Sequence, residues 1–176
     1  MTDRMTHAAG RVDAAGVADF MGRIGRNHSL TGLAFVCIGT DRSTGDSLGP
    51  IVGTMLEERG INNVIGTLRE PCDADRLPLL AERFAIEAAE GLIHIAIDAC
   101  LGRPESVGAY LVSSGPLVPA QSVGRGFPPI GAYSIAAIVN ATSPKPYWTL
   151  QTTSLNRVIG MAKEIADAIT TIKTHL

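Results

Sequence analysis

Short apolar runs, separated by glycine, proline and polar clusters, set the pattern of this chain. Residues 33–38 (LAFVCI) and 92–99 (LIHIAIDA) are apolar at odd and even positions alike. Such runs suit parallel strands covered by helices on both faces. Elsewhere the apolar period lengthens to that of an amphipathic helix. Val17, Phe20, Met21 and Ile24 predict a helix over residues 11–25, broken by Asn27-His28-Ser29. Ile51, Val52, Met55 and Leu56 predict one opened by Pro50 and stopped by Gly60. Leu77, Leu80, Phe84 and Ala88 stripe a third that stops at Gly91, and an apolar stripe from Leu155 to Ile172 marks a closing helix. Residues 63–68 and 107–112 read as further strands, and residues 131–140 (GAYSIAAIVN) fit either a strand or a helix.

Strands alternating with helices predict an α/β fold, a three-layer sandwich around a mostly parallel twisted sheet. Residues 1–30 read as an N-terminal helical extension and residues 31–176 as a single domain. Residues 115–130 (GPLVPAQSVGRGFPPI) hold four prolines and three glycines. A loop of that length suits a lid or binding loop, or a plain surface excursion.

Composition then excludes several functions. With 176 residues, 45% of them hydrophobic and a formal charge of -2, the chain has the apolar content for a packed core and lacks the signature of disorder. It also lacks the basic field through which nucleic-acid binders displace counterions. No apolar stretch approaches the ~20 residues that span a bilayer, and the first residues lack a signal-peptide core, so no membrane role is expected. Cys37, Cys72 and Cys100 are odd in number and form no CxxC, which argues against a disulfide framework or a zinc site. A reducing cytoplasm is the expected compartment.

Ligands of open α/β sheets bind beyond the carboxyl ends of the strands. Two such ends carry acids: the loop 39–50 (GTDRSTGDSLGP) after the first long strand, and Asp98-Ala99-Cys100 ending the second. The loop is no phosphate cradle, because Gly39 and Gly45 are one residue too far apart for GxxxxGK[ST] and Asp46 stands where its lysine would be. Asp46 reads either as a helix N-cap or as a reactive acid, and Asp41 as a turn residue or a binding one. Asp98, ending a hydrophobic strand, needs a partner. If the two strands are neighbours, Asp46 and Asp98 face one another across a crevice and can act as acid and base on a water. Cys100 is the rival nucleophile, but His94 lies about 20 Å back along an extended strand. His94 itself reads as a satisfied core histidine. With no histidine between residues 94 and 175, imidazole metal ligands are scarce. No motif requires a cofactor, and none is expected.

Over residues 33–165 these motifs, with GTLREP, SIAAIVN and LQTTSLNRVIGMA, resemble the YyaC-type sporulation protein family of spore-forming Firmicutes. That family is similar to the germination protease that degrades small acid-soluble spore proteins, and more distantly to the hydrogenase maturation endopeptidases. The resemblance implies a phosphorylase/hydrolase-like α/β sandwich and a peptidase-like hydrolase in the cytoplasm, forespore or spore core of sporulating cells. Its substrate would be a peptide or small spore protein, and a homo-oligomer would be compatible with it. Asp46 and Asp98 fall on the two proposed catalytic aspartates. Gly39, Thr40, Asp41, Ser47, Gly49 and Cys100 fall around them as candidate substrate contacts. In the maturation enzymes the equivalent acids bind nickel with a later histidine, which is missing here, so no metal is expected. The alternative is a non-catalytic protein that binds peptides or spore components on the same scaffold.

Overall fold

A computed structural model of the chain describes residues 10–119 and 127–172. Strand β2 (Leu33–Cys37) is buried at all five positions, as its uninterrupted apolar run requires. It pairs in parallel with β3 (Val64–Ile65) on one side and with β4 (Ile93–Gly102) on the other. Two more strands, β5 (Tyr110–Ser113) and β6 (Tyr133–Ala141), and a first short one, β1 (Gly10–Val12), complete six strands in the order β1-β5-β6-β4-β2-β3. β4 and β6 are parallel, whereas β5 runs antiparallel to both β6 and β1. The four strands β6, β4, β2 and β3 form the expected parallel body. The antiparallel pair at one edge makes the whole sheet mixed.

Helices α1 (Ala14–Asn27), α2 (Leu48–Glu58) and α5 (Leu155–Thr171) cover one face. Phe35, Cys37, Ile95, Ile97 and Ile135 point from the sheet into that layer. Helix α3 (Leu77–Ala89) covers the other face, with Leu77 and Phe84 against Val36, Ile38 and Ala96. Strand alternation thus sorts consecutive residues into two cores, and the three-layer α/β sandwich stands.

Residues 131–140 resolve as strand because β6 lies between β4 and β5, where its backbone groups are paired on both sides. Two elements had no periodic signal: β1, three residues long, and α4 (Pro146–Gln151), a six-residue helix. β3 is only two residues, far shorter than the run from 63 to 68 suggested. The division at residue 30 is corrected as well. β1 extends the sheet, and α1, capped by the Asp13 side chain, buries Val17, Phe20, Met21 and Ile24 in the main core. The long loop is pinched by a bridge between Leu117 and Ile130. Residues 120–126 within it, and with them much of the lid reading, lie outside the described residues.

Candidate active site

The chain reverses its direction across the sheet at β2 and β4. From β2 it crosses by α2 to β3 at the edge; from β4 it proceeds to β5 and β6 on the opposite side. A crevice opens at such a switch point beyond the strand carboxyl ends. β2 ends first: Cys37 is the register partner of Ile97, and Ile38 N donates to Ile97 O at 2.8 Å. β4 runs on to Gly102, paired only with β6. Asp98 is therefore the first residue of β4 whose β2 side is open.

Asp46 arrives from the β2 side in a 3-10 turn (Gly45–Ser47) that leads into α2. It is not the N-cap of that helix. Ser47 holds the cap position without a side-chain cap bond, and α2 begins two residues before Pro50, which fits the first turn because its missing N–H has no partner there anyway. The Asp46 carboxyl is thus left free of a capping role. The turn is closed by Thr40 N donating to Asp46 O at 3.1 Å and by Ser47 Oγ donating to Thr44 O at 2.6 Å.

The two acids have different electrostatics. Burial pushes the Asp98 carboxyl up to about 8; a bond from its neighbour Ala99 N, 2.8 Å long, pulls the other way, and the charge of Asp46 pushes it further up. Burial also raises Asp46, with the Ser43 hydroxyl offsetting part of the rise. The influence between the acids runs one way, because an ionised Asp46 acts on Asp98 while a protonated Asp98 carries no charge to act back. At neutral pH Asp98 holds its proton.

The remaining candidate positions divide. Gly39 and Gly49 shape the loop. A Cβ on either would lie 2.0 Å from a carbonyl oxygen, that of Asp46 or of Ile38, and Gly39 has φ +146. Ser47 is buried and spent on Thr44. Thr40 Oγ1 accepts from Arg42 N at 3.3 Å and so holds this turn, one of the two roles open to Asp41. Asp41 is exposed. Cys100 is half-buried on the same strand face as Asp98, where burial and then the Asp98 charge push its thiol up to about 12. That removes the thiolate a nucleophile needs.

Two neighbours were not singled out in the sequence. Ser43 is buried beside Asp46, and its spacing of three residues in a turn was the available signal. Cys72 reaches the site through a parallel bridge to Ile38, and its carbonyl accepts from Gly39 N at 3.0 Å. No local sequence signal exists for so distant a contact. His94, by contrast, is the core histidine expected, its Nε2 2.8 Å from Glu87 Oε2. Among the described residues no three His, Cys, Asp or Glu side chains are grouped to hold a metal ion. The donors do not fit a site of two acids and a histidine, and no step below passes through a metal.

A separate cavity of about 120 Å3 lies between the β3 edge and α3, with Arg69, Arg76 and Arg83 in its lining. Glu70 and Glu87 pair with Arg76 and Arg83 at 2.8 and 2.6 Å, so two of its three guanidinium groups are already matched.

Residues 16–168 match the family described as "Protein of unknown function (DUF1256)". The chain belongs to this family. Over 139 residues it is 40% identical to the uncharacterized protein YyaC of Bacillus subtilis (strain 168), across 78% of this chain and 67% of the relative. The family match begins within α1, so the first helix is part of what is shared. Among solved structures, the [NiFe] hydrogenase maturation protease HycI from Thermococcus kodakarensis KOD1 aligns over 78% of this chain and 92% of that chain. Its identity is 15% and its TM-score 0.47. No helix among the described residues is long and apolar enough to cross a membrane.

Proposed function

We propose that this DUF1256 protein is a hydrolase of peptide bonds that uses Asp46 as general base and Asp98 as general acid. The observation that carries the reading is a pair of buried carboxyls at the switch point of the sheet, both raised by burial, with Asp98 pushed further up by the charge of Asp46. Pairs of titratable groups pushed apart in this way are how one site holds an acid and a base at the same pH. Asp46, the more readily ionised, takes a proton from a water whose oxygen attacks the scissile carbonyl carbon. Asp98 gives its proton to the departing amine nitrogen. One water is consumed, and the proton gained by Asp46 replaces the one lost by Asp98 through solvent. The exposed residues Asp41 and Arg42 lie beside half-buried Thr40 in the same loop, where a peptide backbone would run.

The peptide bond as target is supported by the resemblance of loop 39–50 and of the Ile-Asp-Ala strand end to the germination protease. The same resemblance makes small acid-soluble spore proteins the first substrate to try, in a sporulating cell. Incubation of the protein with these substrates and with a synthetic peptide library, read by mass spectrometry between about pH 5 and pH 9, tests the reading. Fragments are expected from the wild type and not from the Asp46→Asn, Asp98→Asn double variant. Binding without cleavage at every pH would make the protein a peptide-binding scaffold instead.

A further inference from the structure

Ser43 is 5% exposed, yet its Oγ has no hydrogen-bond partner. Among the described residues no other buried side-chain oxygen or nitrogen is in this position. A buried, unpaired hydroxyl is destabilising, and alanine would fill the same space without that cost. Two other hydroxyls of the loop are engaged: Ser47 Oγ donates to Thr44 O, and Thr40 Oγ1 accepts from Arg42 N. The exception lies three residues before Asp46. Thr44 is already helical, at φ -57 and ψ -47, and Gly45–Ser47 forms a 3-10 turn. Ser43 immediately precedes the Thr44 cap of that turn, three residues ahead of Asp46.

We propose that Ser43 is a positioning residue for Asp46: its hydroxyl is kept free so that it can turn and donate to the Asp46 carboxylate once that acid ionises. The bond then holds Asp46 as the base of the pair and fixes its orientation toward the crevice. The hydroxyl already stands near enough to favour the ionised form, while still outside hydrogen-bond geometry. The elements packed against the turn carry Glu57 and Glu58 on α2, His94 and Asp98 on β4, and Arg157, Lys163, Glu164 and Asp167 on α5, with Lys145 at the start of α4. Asp98 is the acid across the crevice, Lys145 is exposed, and Arg157 is spent on Val139 O at 3.1 Å. Ser43 is thus the neutral donor at hand. The inference rests on the acid and base roles proposed above.

Carboxyl-detected NMR titration of Asp46 tests it, with the resonance assigned by its loss in Asp46→Asn. Ser43→Ala should move the Asp46 midpoint upward by about one pH unit, the scale of one lost charge-assisted bond. Ser43→Thr, which keeps the hydroxyl, should restore it. Thermal melts supply a second readout. Ser43→Ala should melt at or above the wild-type temperature where Asp46 is protonated, and below it only once Asp46 ionises. An unchanged midpoint in Ser43→Ala, or an equal loss of melting temperature at both ends of the range, would overturn the proposal. The titration reads Asp46 directly and decides this point even if no peptide is ever cleaved.

Discussion

At its amino end β4 carries His94, matched to Glu87; at its carboxyl end, on the same face, it carries Asp98, opposed by Asp46. The two sites are four residues, about 13 Å, apart on one strand. Both are half-buried or more, and both contain a carboxyl. At the first, burial alone would raise Glu87, but hydrogen bonds from His94 and Arg83 and the charge of Arg83 more than offset it, and the carboxyl ends below its ordinary range. At the second no cation intervenes, and burial and like charge both push upward. The same strand thus builds one pair that is at rest and one that is held under tension. Stability alone explains the first. The second lowers stability at neutral pH and is retained in the crevice where substrates of this architecture bind, which is the argument for function.

The comparison can be broken most decisively by exchanging the acids. Asp46→Asn and Asp98→Asn should each lower peptide cleavage by about 10^2–10^4-fold, the usual worth of a positioned acid or base, while Glu87→Gln should leave it near wild type. Cleavage rates of the three purified variants decide between the sites.

The backbone that presents the tense pair comes next. Gly49→Ala would drive a Cβ to 2.0 Å from Ile38 O, at the end of β2. A loss of about 3 kcal/mol or more in denaturant unfolding is expected, because backbone, not a flexible side chain, must yield. Nothing comparable constrains Gly91 beside the resting pair, where a Cβ meets nothing within 4 Å, although its φ of +96 still favours glycine.

The pairs should also respond to pH with opposite sign. Asp98 titrates near 3.9 unfolded and about 8 folded, so its contribution is intact below about pH 4 and is lost as pH rises toward 8. Glu87 is lowered in the fold, so its contribution is present above its unfolded value and is lost as pH falls through the folded one. Unfolding free energies across that range should fall with pH in the wild type and flatten in Asp98→Asn, which should be the more stable protein near pH 8. At the resting pair, His94→Ala should cost about 1–3 kcal/mol with cleavage unchanged per folded molecule, since a buried bond and the packing against Phe84 are lost. The smallest effect belongs to Cys100→Ser, expected to leave cleavage within about twofold, because a thiol raised so far supplies no nucleophile.

Much of this arrangement was legible in the residues. β2 and β4 announce themselves by runs apolar on both faces, and an acid closing such a run needs an explanation, so Asp98 stood out. Asp46 stood out as an acid where a phosphate loop would have a lysine. What could not be read depends on contacts between distant parts of the chain. β1 is three residues that acquire a strand conformation only by pairing with β5, and β3 is curtailed by its place at the sheet edge. Gly39, Ser47 and Gly49 share the loop with Asp46 and build it, through carbonyls close to the two glycines and a bond from the Ser47 hydroxyl that only the folded chain brings about. Ser43 looked like any polar loop residue until its burial was known.

The central claim is that Asp98 keeps its proton at neutral pH and that the charge of Asp46 helps hold it there. Titration of the aspartate carboxyl carbons by NMR, with Asp98 assigned by its absence in Asp98→Asn, measures this directly. The account predicts an Asp98 midpoint near 8, falling when Asp46 is replaced by asparagine, and an Asp46 midpoint well below it. An Asp98 midpoint near the ordinary aspartate value of about 4, unmoved by Asp46→Asn, would contradict it.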